Sequence, residues 1–563
     1  MSTPDAPQLR LGPFAAAVDA GSMLALRDDG PSFAVHGDVL GTASLARELG
    51  LSQQAPLVEV LASAWSRWST NALRRLDGVF AIAVRSGRRL WLYNDPGGLS
   101  HIYWQRGAQG ELLYATRLEK LFALPGARRV LARRSLHEYL RLLDVAVPNT
   151  LFDGVQALEP GQWLEFDGTQ LTASGDAALP AGESFGGSFD EALESLSERL
   201  RATVRLALHG AERPAAFLSG GIDSALLCSL AAQERPDLVT LTVGFDGAPF
   251  DESQRAARIA SHLGLRHQVL RFGRDEYLGA LRRLATTMDH PTADPATPAT
   301  VLAFEHCRAR HDVVLDGTGA DEAVGAIPPR HARLAVEWAD RLPAAIRHAL
   351  ARALRRVPGV SRYAPILDFV HPADLLTRWR GFTEAQIAEL CGGPVSLGHT
   401  RLRHTFERFE RHAHFERFSA MVDAMPCERL TQAMAVTGAS VRFPFLAREV
   451  DGFLRQLRTE FRHGPGQPKR ILRELLARHV PRPLWDLPKH GFDFPLTEFL
   501  RGDDHHLVRH HLDADRWRTS GLLRGDVVAR YGREFIAGDH GHSFRVWSLV
   551  LLDAWLTQHA LQD

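Results

Sequence analysis

Residues 219–224, Ser-Gly-Gly-Ile-Asp-Ser, constrain the fold of this chain more than any other stretch. An apolar run precedes them and a helical pattern follows. A strand, a Gly-Gly turn and a helix start make an anion site, because glycines let backbone N–H groups point inward and the helix N-terminus adds partial positive charge. Ser219 and Ser224 add hydroxyl donors, and Asp223 can hold a cation that bridges phosphate oxygens. The stretch therefore predicts a phosphate-binding loop, and the absence of a Gly-x-x-x-x-Gly-Lys-Ser/Thr pattern excludes a Walker A loop.

Length and composition describe a globular protein of several domains. At 563 residues the chain is too long for one core, and its 45% hydrophobic and 23% charged residues are typical of soluble proteins. The formal net charge is zero, so we expect no partner among nucleic acids and no membrane association. The four cysteines lie far apart without a Cys-x-x-Cys pair, and no signal peptide or membrane span is evident. These features predict a cytoplasmic protein with reduced thiols.

The pattern of the chain changes near residue 190. Residues 1–175 contain short alternating runs separated by Gly and Asp turns, which predict a β-rich domain. Residues 176–189 are rich in Gly, Ala, Ser and Pro and predict a linker. Residues 190–563 then alternate β-like and helical runs until about residue 330, and look almost entirely helical beyond it. Alternating β and α segments predict a doubly wound parallel sheet with helices on both faces, so the fold class is α/β.

Several polar segments follow the predicted strands of this second domain. Asp251-Glu252 comes after the strand that ends near Phe245, and the Gly-rich segment 316–322 comes after the strand that ends at Leu315. Nucleotide sites on parallel sheets lie at the carboxyl ends of the strands, so we expect Asp223 and Asp321 to lie close together. Two carboxylates with phosphate oxygens make a suitable Mg²⁺ site.

Together these motifs resemble the asparagine synthetase B superfamily. The loop 219–224 is also similar to the pyrophosphate loop of ATP pyrophosphatases, which cut ATP between the α and β phosphates. The matching segments occur in the family's order over nearly the whole chain: 78–82, 94–98, 219–224, 243–245, 316–322, 441–446, 466–475 and 488–496. The resemblance implies an N-terminal glutaminase-type domain with the fold of N-terminal-nucleophile hydrolases, followed by an ATP-pyrophosphatase domain with a helical C-terminal part.

The resemblance also implies roles for individual residues, with ATP and Mg²⁺ as the bound species. Leu218, Val243 and Gly317 would border the adenine and ribose, and Asp223 and Asp321 would bind Mg²⁺. Lys489 matches the lysine that neutralises the acyl-adenylate and the departing pyrophosphate, while Lys469 is the weaker candidate and could serve only the fold. The β and γ phosphates would lie on the loop formed by Ser219, Gly220, Gly221, Ile222, Asp223 and Ser224.

Two departures concern the glutaminase-like domain. The family's glutaminase uses a cysteine that becomes the first residue after Met removal, whereas this chain has Ser2 followed by Thr3. The family's Asn-Gly-Glu segment is replaced by His36-Gly37-Asp38. We therefore expect this domain to be catalytically silent and to supply no ammonia to the ligase half.

Two further departures concern the nucleophile. Thr318 stands where asparagine synthetases carry Glu and β-lactam synthetases carry the Tyr of a Tyr–Glu proton-abstracting pair, and Ser440 replaces a usual Glu. An α-amino group has a pKa of ~7.7–8.0 against ~10.4 for lysine, so a peptide N-terminus demands less of a catalytic base. Glu428 could still accept the proton, although an acid in the first turn of a helix is also favoured by the helix dipole.

This set of features is similar to the lasso peptide cyclases. That resemblance implies adenylation of an Asp or Glu side chain of a precursor peptide and closure of a macrolactam by the peptide's own N-terminal amine. It also implies a leader peptidase and a leader-recognition protein as partners. The alternatives are an ammonia-dependent asparagine synthetase, a small-molecule cyclase similar to β-lactam synthetases, and a nucleotide-binding scaffold without turnover.

Overall fold

The computed structural model describes most of the chain. The described residues are 8–11, 14–17, 23–25, 30–176, 184–244, 252–325, 341–357, 360, 364, 367–373, 381–412, 414–424, 428–464, 467–487 and 494–559.

One mixed sheet and one antiparallel sheet make up the first half of the protein. Their strands are β1 Gln8–Leu11, β2 Phe14–Ala17, β3 Met23–Ala25, β4 Ser32–Leu40, β5 Asp77–Ser86, β6 Arg89–Asn94, β7 Tyr103–Arg106, β8 Leu112–Ala115, β9 Val155–Ala157, β10 Gln162–Phe166 and β11 Leu171–Asp176. One sheet has the order β1-β2-β8-β7-β9 and the other has the order β11-β10-β6-β5-β4-β3. The helices of this half are α1 Thr42–Glu48, α2 Leu57–Trp68, α3 Leu118–Phe122 and α4 Arg133–Leu142, with a short 3₁₀ helix at Ser69–Arg75.

Alternation of side chains along the strands produces a four-layer arrangement. Phe80, Ile82 and Val84 of β5 pack against α1 and α2, whereas Ala81 and Ala83 face the first sheet. The period of two in a strand sends successive side chains to opposite faces, so each sheet is buried on both sides. The outer face of the first sheet packs on α3 and α4.

The second half contains a parallel five-stranded sheet. Its strands are β12 Pro214–Phe217, β13 Val239–Gly244, β14 Arg266–Arg271, β15 Val313–Leu315 and β16 Val441–Arg442, in the order β14-β13-β12-β15-β16. Every neighbouring pair is parallel. The first helices of this half are α5 Phe189–Leu208, α6 Ile222–Glu234, α7 Ser253–His262, α8 Arg274–Thr287, α9 Thr297–Arg310 and α10 Ala320–Val324.

Helices cover both faces of the parallel sheet, as the α/β pattern predicts. Ala216 and Leu315 point into the cluster that contains α5 and α6, whereas Ala215 and Val314 contact Cys307 of α9 on the opposite face. The predicted doubly wound fold is therefore confirmed. β11 ends and α5 begins on either side of the predicted linker 176–189.

The remaining chain is largely helical. Its helices are Ala344–Arg355, Glu384–Cys391, Arg401–Arg408, His414–Asp423, Glu428–Thr437, Arg448–Gln456, Thr459–Arg462, Arg470–Ala477, Leu496–His511, Ala514–Ser520, Gly525–Ile536 and Ser543–Gln558. Short 3₁₀ helices lie at Pro444–Leu446, Arg482–Leu484 and His540–His542. Among the described residues we find no helix that is both long and apolar enough to cross a membrane.

One strand departs from the helical pattern expected after residue 330. β16 pairs with β15, and the backbone N–H of Asp316 donates to the carbonyl of Arg442 at 3.0 Å. Pro444 has no N–H group to continue the ladder, which limits the strand to two residues. Such a short strand gives too little alternation to be recognised from sequence, yet it brings residues 441–446 to the edge of the nucleotide-binding sheet.

The two halves share one hydrophobic core. Phe152 of the first half lies against Trp555, with ring centroids 5.9 Å apart, and the hydroxyl of Tyr139 donates to the carbonyl of Ser548 at 2.9 Å. The indole N–H of Trp555 donates to the carbonyl of Met288 at 3.1 Å. Because the cluster is continuous, packing in one half stabilises the other.

Trp555→Ala should therefore destabilise both halves together. Removing a buried tryptophan leaves a cavity that costs roughly 3–5 kcal/mol in the free energy of unfolding. We expect one urea transition at lower denaturant, measured by far-UV circular dichroism. As a control, Leu350→Ala removes a 44% exposed side chain and should change the free energy by less than about 0.5 kcal/mol. Two separate transitions in Trp555→Ala would contradict a shared core.

Candidate active site

The loop 219–224 lies between β12 and α6 at the carboxyl edge of the parallel sheet. Gly220 adopts a φ of 76°, which is open to glycine, and Gly221 is the residue that precedes α6. The backbone N–H of Ser219 donates to the hydroxyl of Ser224 at 3.1 Å, and the two hydroxyl oxygens are 3.0 Å apart. These bonds fold the loop over the start of α6, where Ile222 and Asp223 form the first turn. The predicted anion site thus has the required strand, turn and helix.

A second glycine-rich turn packs directly on this loop. A Cβ atom at Gly317 would lie 3.2 Å from the backbone nitrogen of Ser224, which is tighter than a normal contact. The close approach brings the segment after β15 against the loop after β12. Gly317 therefore lies beside the loop, and its predicted contact with the adenine and ribose stays a prediction.

Leu218 and Val243 occupy different environments. Leu218 is fully buried in the core, its N–H donates to the carbonyl of Leu241 at 2.8 Å, and its carbonyl accepts from the hydroxyl of Thr242. It therefore positions the loop through the sheet. Val243 in β13 is half-buried next to the strand's carboxyl end, as a residue bordering a nucleotide would be.

Lys469 links the two predicted metal-binding carboxylates. Its Nζ lies 2.6 Å from Asp223 Oδ2 and 2.6 Å from Asp321 Oδ1. Its side chain is only 10% exposed, and its backbone adopts a left-handed φ of 58°. Burial lowers the pKa of Lys469, but the two carboxylates outweigh burial and raise it, so the ammonium stays charged. Sequence reasoning ranked Lys469 below Lys489; the structure brings Lys469 to the centre of the site.

The donor set suits a magnesium ion that is shared with phosphates. Among the described residues no group of three or more His, Cys, Asp or Glu side chains could hold a metal by itself. Mg²⁺ commonly takes one or two carboxylates and completes its shell with phosphate and water oxygens. Asp223 and Asp321 would supply such a pair, and the ammonium of Lys469, which contacts both carboxylates, would neutralise phosphate charge beside them.

Arg255 is a positive residue that sequence reasoning missed. A Cβ atom at Gly220 would lie 3.0 Å from Arg255 Cδ, so this side chain runs along the loop. Arg255 lies in the first turn of α7, and its Nη1 is 3.9 Å from Glu252 Oε1. The sequence places Arg255 at the start of the helix that follows β13, and such helices begin at the carboxyl edge of the sheet. This position could have predicted that Arg255 lies near the loop.

Thr318 is held by its own turn. Its N–H and its hydroxyl both donate to Asp316 Oδ1, at 2.8 Å and 2.5 Å. The next residue is Gly319, whose φ is 100°. A Cβ atom at this position would lie 2.6 Å from the side chain of Leu446, so glycine fits here where a larger residue would not. A threonine whose hydroxyl is already bonded to a carboxylate supplies no acid–base group.

Glu428 forms a buried pair with a histidine of the first half. Glu428 is 6% exposed, and its Oε2 accepts from Thr431 at 2.9 Å and lies 2.7 Å from His101 Nε2. Burial raises the pKa of Glu428, but the charge and hydrogen bond of His101 outweigh it and lower the pKa to about 2. Such a carboxylate is a weak base at neutral pH, which reduces its fitness for the predicted proton transfer.

A cavity of about 250 Å³ lies between the two halves. Asp38, from the segment that replaces the family's Asn-Gly-Glu, lines it and forms an ion pair with Arg442 of β16 at 2.7 Å. Asp95, also in its wall, is fully buried, and burial raises its pKa to about 7. The predicted catalytic residue Lys489 lies outside the described residues, as does Ser2, which stands in place of the family's nucleophilic cysteine.

Comparisons with known proteins agree with this geometry. The family model described as asparagine synthase matches residues 195–557, and the model described as glutamine amidotransferase domain matches residues 33–175. A Mycobacterium tuberculosis protein with the provisional name asparagine synthetase (glutamine-hydrolysing) is 28% identical over 88% of this chain and 79% of its own. Asparagine synthetase (glutamine-hydrolysing) 1 of Bacillus subtilis is 23% identical over 88% of this chain and 80% of its own.

A further relative acts on a different class of substrate. The carboxyethyl-arginine β-lactam synthase of Streptomyces clavuligerus is 24% identical over 65% of both chains. The asparagine synthase model covers well over half of the chain. The chain therefore belongs to the asparagine synthase family, whose members are ATP-dependent ligases that form amide bonds and release AMP and pyrophosphate.

Proposed function

We propose that the protein closes a macrolactam in a ribosomal precursor peptide. A side-chain carboxylate oxygen of Asp or Glu attacks the α-phosphorus of ATP, which forms an acyl-adenylate and releases pyrophosphate. The peptide's N-terminal amine then attacks the acyl carbon, gives up a proton, and displaces AMP as the amide bond forms. This makes the activity a lasso-peptide type of cyclisation, within the amide-forming chemistry of the family.

The phosphate end of the site supports the first step. Loop 219–224 offers backbone N–H groups at the start of α6, and Lys469 is an ammonium fixed between Asp223 and Asp321. Positive groups that are already in place stabilise the charge that develops on a departing pyrophosphate without further reorganisation. Mg²⁺ held by Asp223 and Asp321 would neutralise phosphate charge in the same region.

Thr318 is the observation that carries the proposal for the second step. Its hydroxyl is bonded to Asp316, at the position where the related asparagine and β-lactam synthetases are expected to carry an acid–base group. A site without a catalytic base at this position suits an amine nucleophile that is already partly neutral at the working pH. Roughly a tenth of α-amino groups are neutral at pH 7, far more than for a lysine amine. This favours a peptide N-terminus as the nucleophile.

The state of the glutaminase-like half supports a reaction without glutamine. Asp38 is committed to the ion pair with Arg442, which ties β4 to β16 across the interface. Gly37 precedes it with a φ of 92°, and a Cβ there would lie 2.2 Å from the carbonyl oxygen of Val79, so the backbone at this point is tightly fixed. We propose that this half serves as a scaffold. A leader peptidase and a leader-recognition protein would then deliver the substrate peptide.

The proposed reaction is tested with ATP, Mg²⁺ and synthetic linear peptides. Each peptide has a free N-terminus and one internal Asp or Glu, placed at a different position in each member of the panel. We expect AMP and pyrophosphate to form in step with a peptide that has lost one water, measured by phosphate-release assay and mass spectrometry. N-acetylated versions should be adenylated but not cyclised, because their nucleophile is blocked.

Other products would favour other functions. Asparagine formed from aspartate and ammonia would indicate an ammonia-dependent synthetase. Cyclisation of a small β-amino acid in place of peptides would indicate a β-lactam synthetase-like enzyme, for which the Streptomyces clavuligerus relative is the precedent. ADP and inorganic phosphate, or no use of ATP, would rule out the adenylate mechanism altogether.

Lys469→Ala should slow pyrophosphate release by at least about 100-fold, because one preorganised donor to transition-state charge is worth this much. The same variant leaves Asp223 and Asp321 as two close carboxylates that repel each other. Pyrophosphate release under saturating ATP gives the rate, and circular dichroism checks the fold. Lys120→Ala removes a lysine of α3 in the other half and should keep the rate of the unmodified protein. A Lys469→Ala rate within a few-fold of that control would show that Lys469 only supports the fold.

A further inference from the structure

A polar cluster crosses the interface between the two halves beside the ligase site. Its members from the first half are His101 and Asp144, and its members from the second half are Asp289, His290, Thr292 and Glu428. Thr292 donates to Asp144 Oδ2 at 2.6 Å, and the backbone N–H of Glu428 also bonds Asp144. The family assignment gives no reason for a histidine of the glutaminase-like half to contact the ligase half.

The topology places Glu428 at the carboxyl edge of the parallel sheet. The helix Glu428–Thr437 packs alongside α9, and Arg308 near the end of α9 bonds the carbonyl of Thr437. At the opposite ends of the two helices, Arg429 lies 3.7 Å from Asp294, just before α9 begins. Both helices therefore run antiparallel to their strands, and both begin at the edge where β15 leads into Thr318. Glu428 is thus on the same edge as the phosphate loop.

Among the described residues of the cluster, His101 is the main cationic partner of Glu428, and the charge of His290 acts on Glu428 more weakly. Burial lowers the pKa of His290, which favours its neutral form. Burial and the charge of Glu428 raise the pKa of Asp144 well above its usual value, which favours its protonated form. Asp289 is paired with Arg117 at 3.0 Å. Tyr103, buried nearby, also stays neutral, because burial raises its pKa.

We propose that His101 is a positioning residue of the ligase site, which holds Glu428 as a carboxylate that receives the incoming amine. This inference rests on the proposed function for the identity of the amine. Both hydrogen bonds to Glu428 from His101 and Thr431 use Oε2, and the side chain keeps 7% of its surface exposed. Because no described residue donates to Oε1, this is the oxygen left to accept from an ammonium or amine group. An ionised carboxylate binds the N-terminal ammonium while the peptide is adenylated, and the amine releases its proton to solvent before it attacks. This gives the glutaminase-like half a part in substrate binding.

The direction in which cyclisation depends on pH follows from the pKa shifts of His101 and Glu428. Burial lowers the pKa of His101, but Glu428 outweighs burial and raises it above its usual value, so the pair favours the charged imidazolium. The pKa of Glu428 is lowered to about 2, so its carboxylate is ionised at neutral pH. Without the histidine charge, burial raises the pKa of Glu428, and the carboxylate takes up a proton as the pH falls.

The test compares His101→Gln with the unmodified protein between about pH 5.5 and pH 7.5, a range set by about one unit on either side of an ordinary histidine pKa. Glutamine keeps a hydrogen-bond donor near Glu428 but carries no charge. We expect the ratio of variant to unmodified cyclisation rate to fall at least tenfold toward acid pH, with KM for the peptide rising more than kcat falls. ATP–pyrophosphate exchange, which reports adenylation alone, should stay within about twofold. Glu428→Gln should slow cyclisation at every pH without the added acid dependence.

A matched control loosens the same interface at a distance from the cluster. Asp38→Asn breaks the cross-domain ion pair with Arg442 and should leave the pH dependence of cyclisation unchanged. If Asp38→Asn reproduces the acid loss, or if His101→Gln shows a rate ratio that does not vary with pH, His101 has only a structural role. Equal loss of exchange and cyclisation in His101→Gln would also overturn the proposal.

A measurement without peptide separates this inference from the proposed function. In protein labelled with ¹³C at the glutamate carboxyl carbon, the signal missing from Glu428→Gln identifies Glu428. We expect that signal to be ionised at pH 6 in the unmodified protein and to titrate between pH 5 and pH 8 in His101→Gln, the range that burial gives a carboxyl without a charged partner. An ionised Glu428 at pH 6 in His101→Gln would refute the inference, even if every peptide is cyclised. Failure of all peptides with this titration present would count against the proposed function alone.

Discussion

The ammonium of Lys469, fixed between Asp223 and Asp321, is the interaction on which the ligase site depends. It joins the first turn of α6, the start of α10 and the segment before the helix Arg470–Ala477 at a single point. Removing one partner of a buried pair costs about 3–5 kcal/mol, and the cost is smaller where a partner is exposed, as Asp321 is at 56%. The same arrangement holds one ammonium and two carboxylates where a polyphosphate and its Mg²⁺ would enter, so stability and substrate binding depend on the same contact.

Local sequence was enough to predict the parts of the site that lie on consecutive residues. The conformation around 219–224, with its strand, Gly-Gly turn and helix start, depends on residues that are neighbours in the chain. The alternation of β-like and helical runs after residue 190 likewise predicts the parallel sheet. The order of motifs supplied the family. What could not be predicted depends on residues far apart in sequence: Lys469 meets Asp223 across 246 positions, and His101 meets Glu428 across 327. Neither contact leaves a periodic signal in the chain.

Two kinds of interaction hold the halves together, and they act differently. Phe152, Tyr139 and Trp555 belong to a continuous apolar core, which contributes most of the adhesion because buried area scales with the number of packed side chains. The ion pairs Asp38–Arg442 and His101–Glu428 add little to the free energy of folding, but they fix how the halves are aligned. The first pair sets the position of β16 against β4, and the second sets the position of the helix Glu428–Thr437 against the first half. Short strands such as β16 would be poorly positioned by apolar packing alone. The charged contacts therefore set the geometry that the core then stabilises.

The shared core also limits how such a protein can be shortened. Deleting residues 33–175 would expose Trp555 and the rest of the apolar surface that they cover to water. Exposed apolar patches of this kind favour aggregation. The ligase half therefore depends on this domain for its packing, whatever chemistry the domain's own pocket performs.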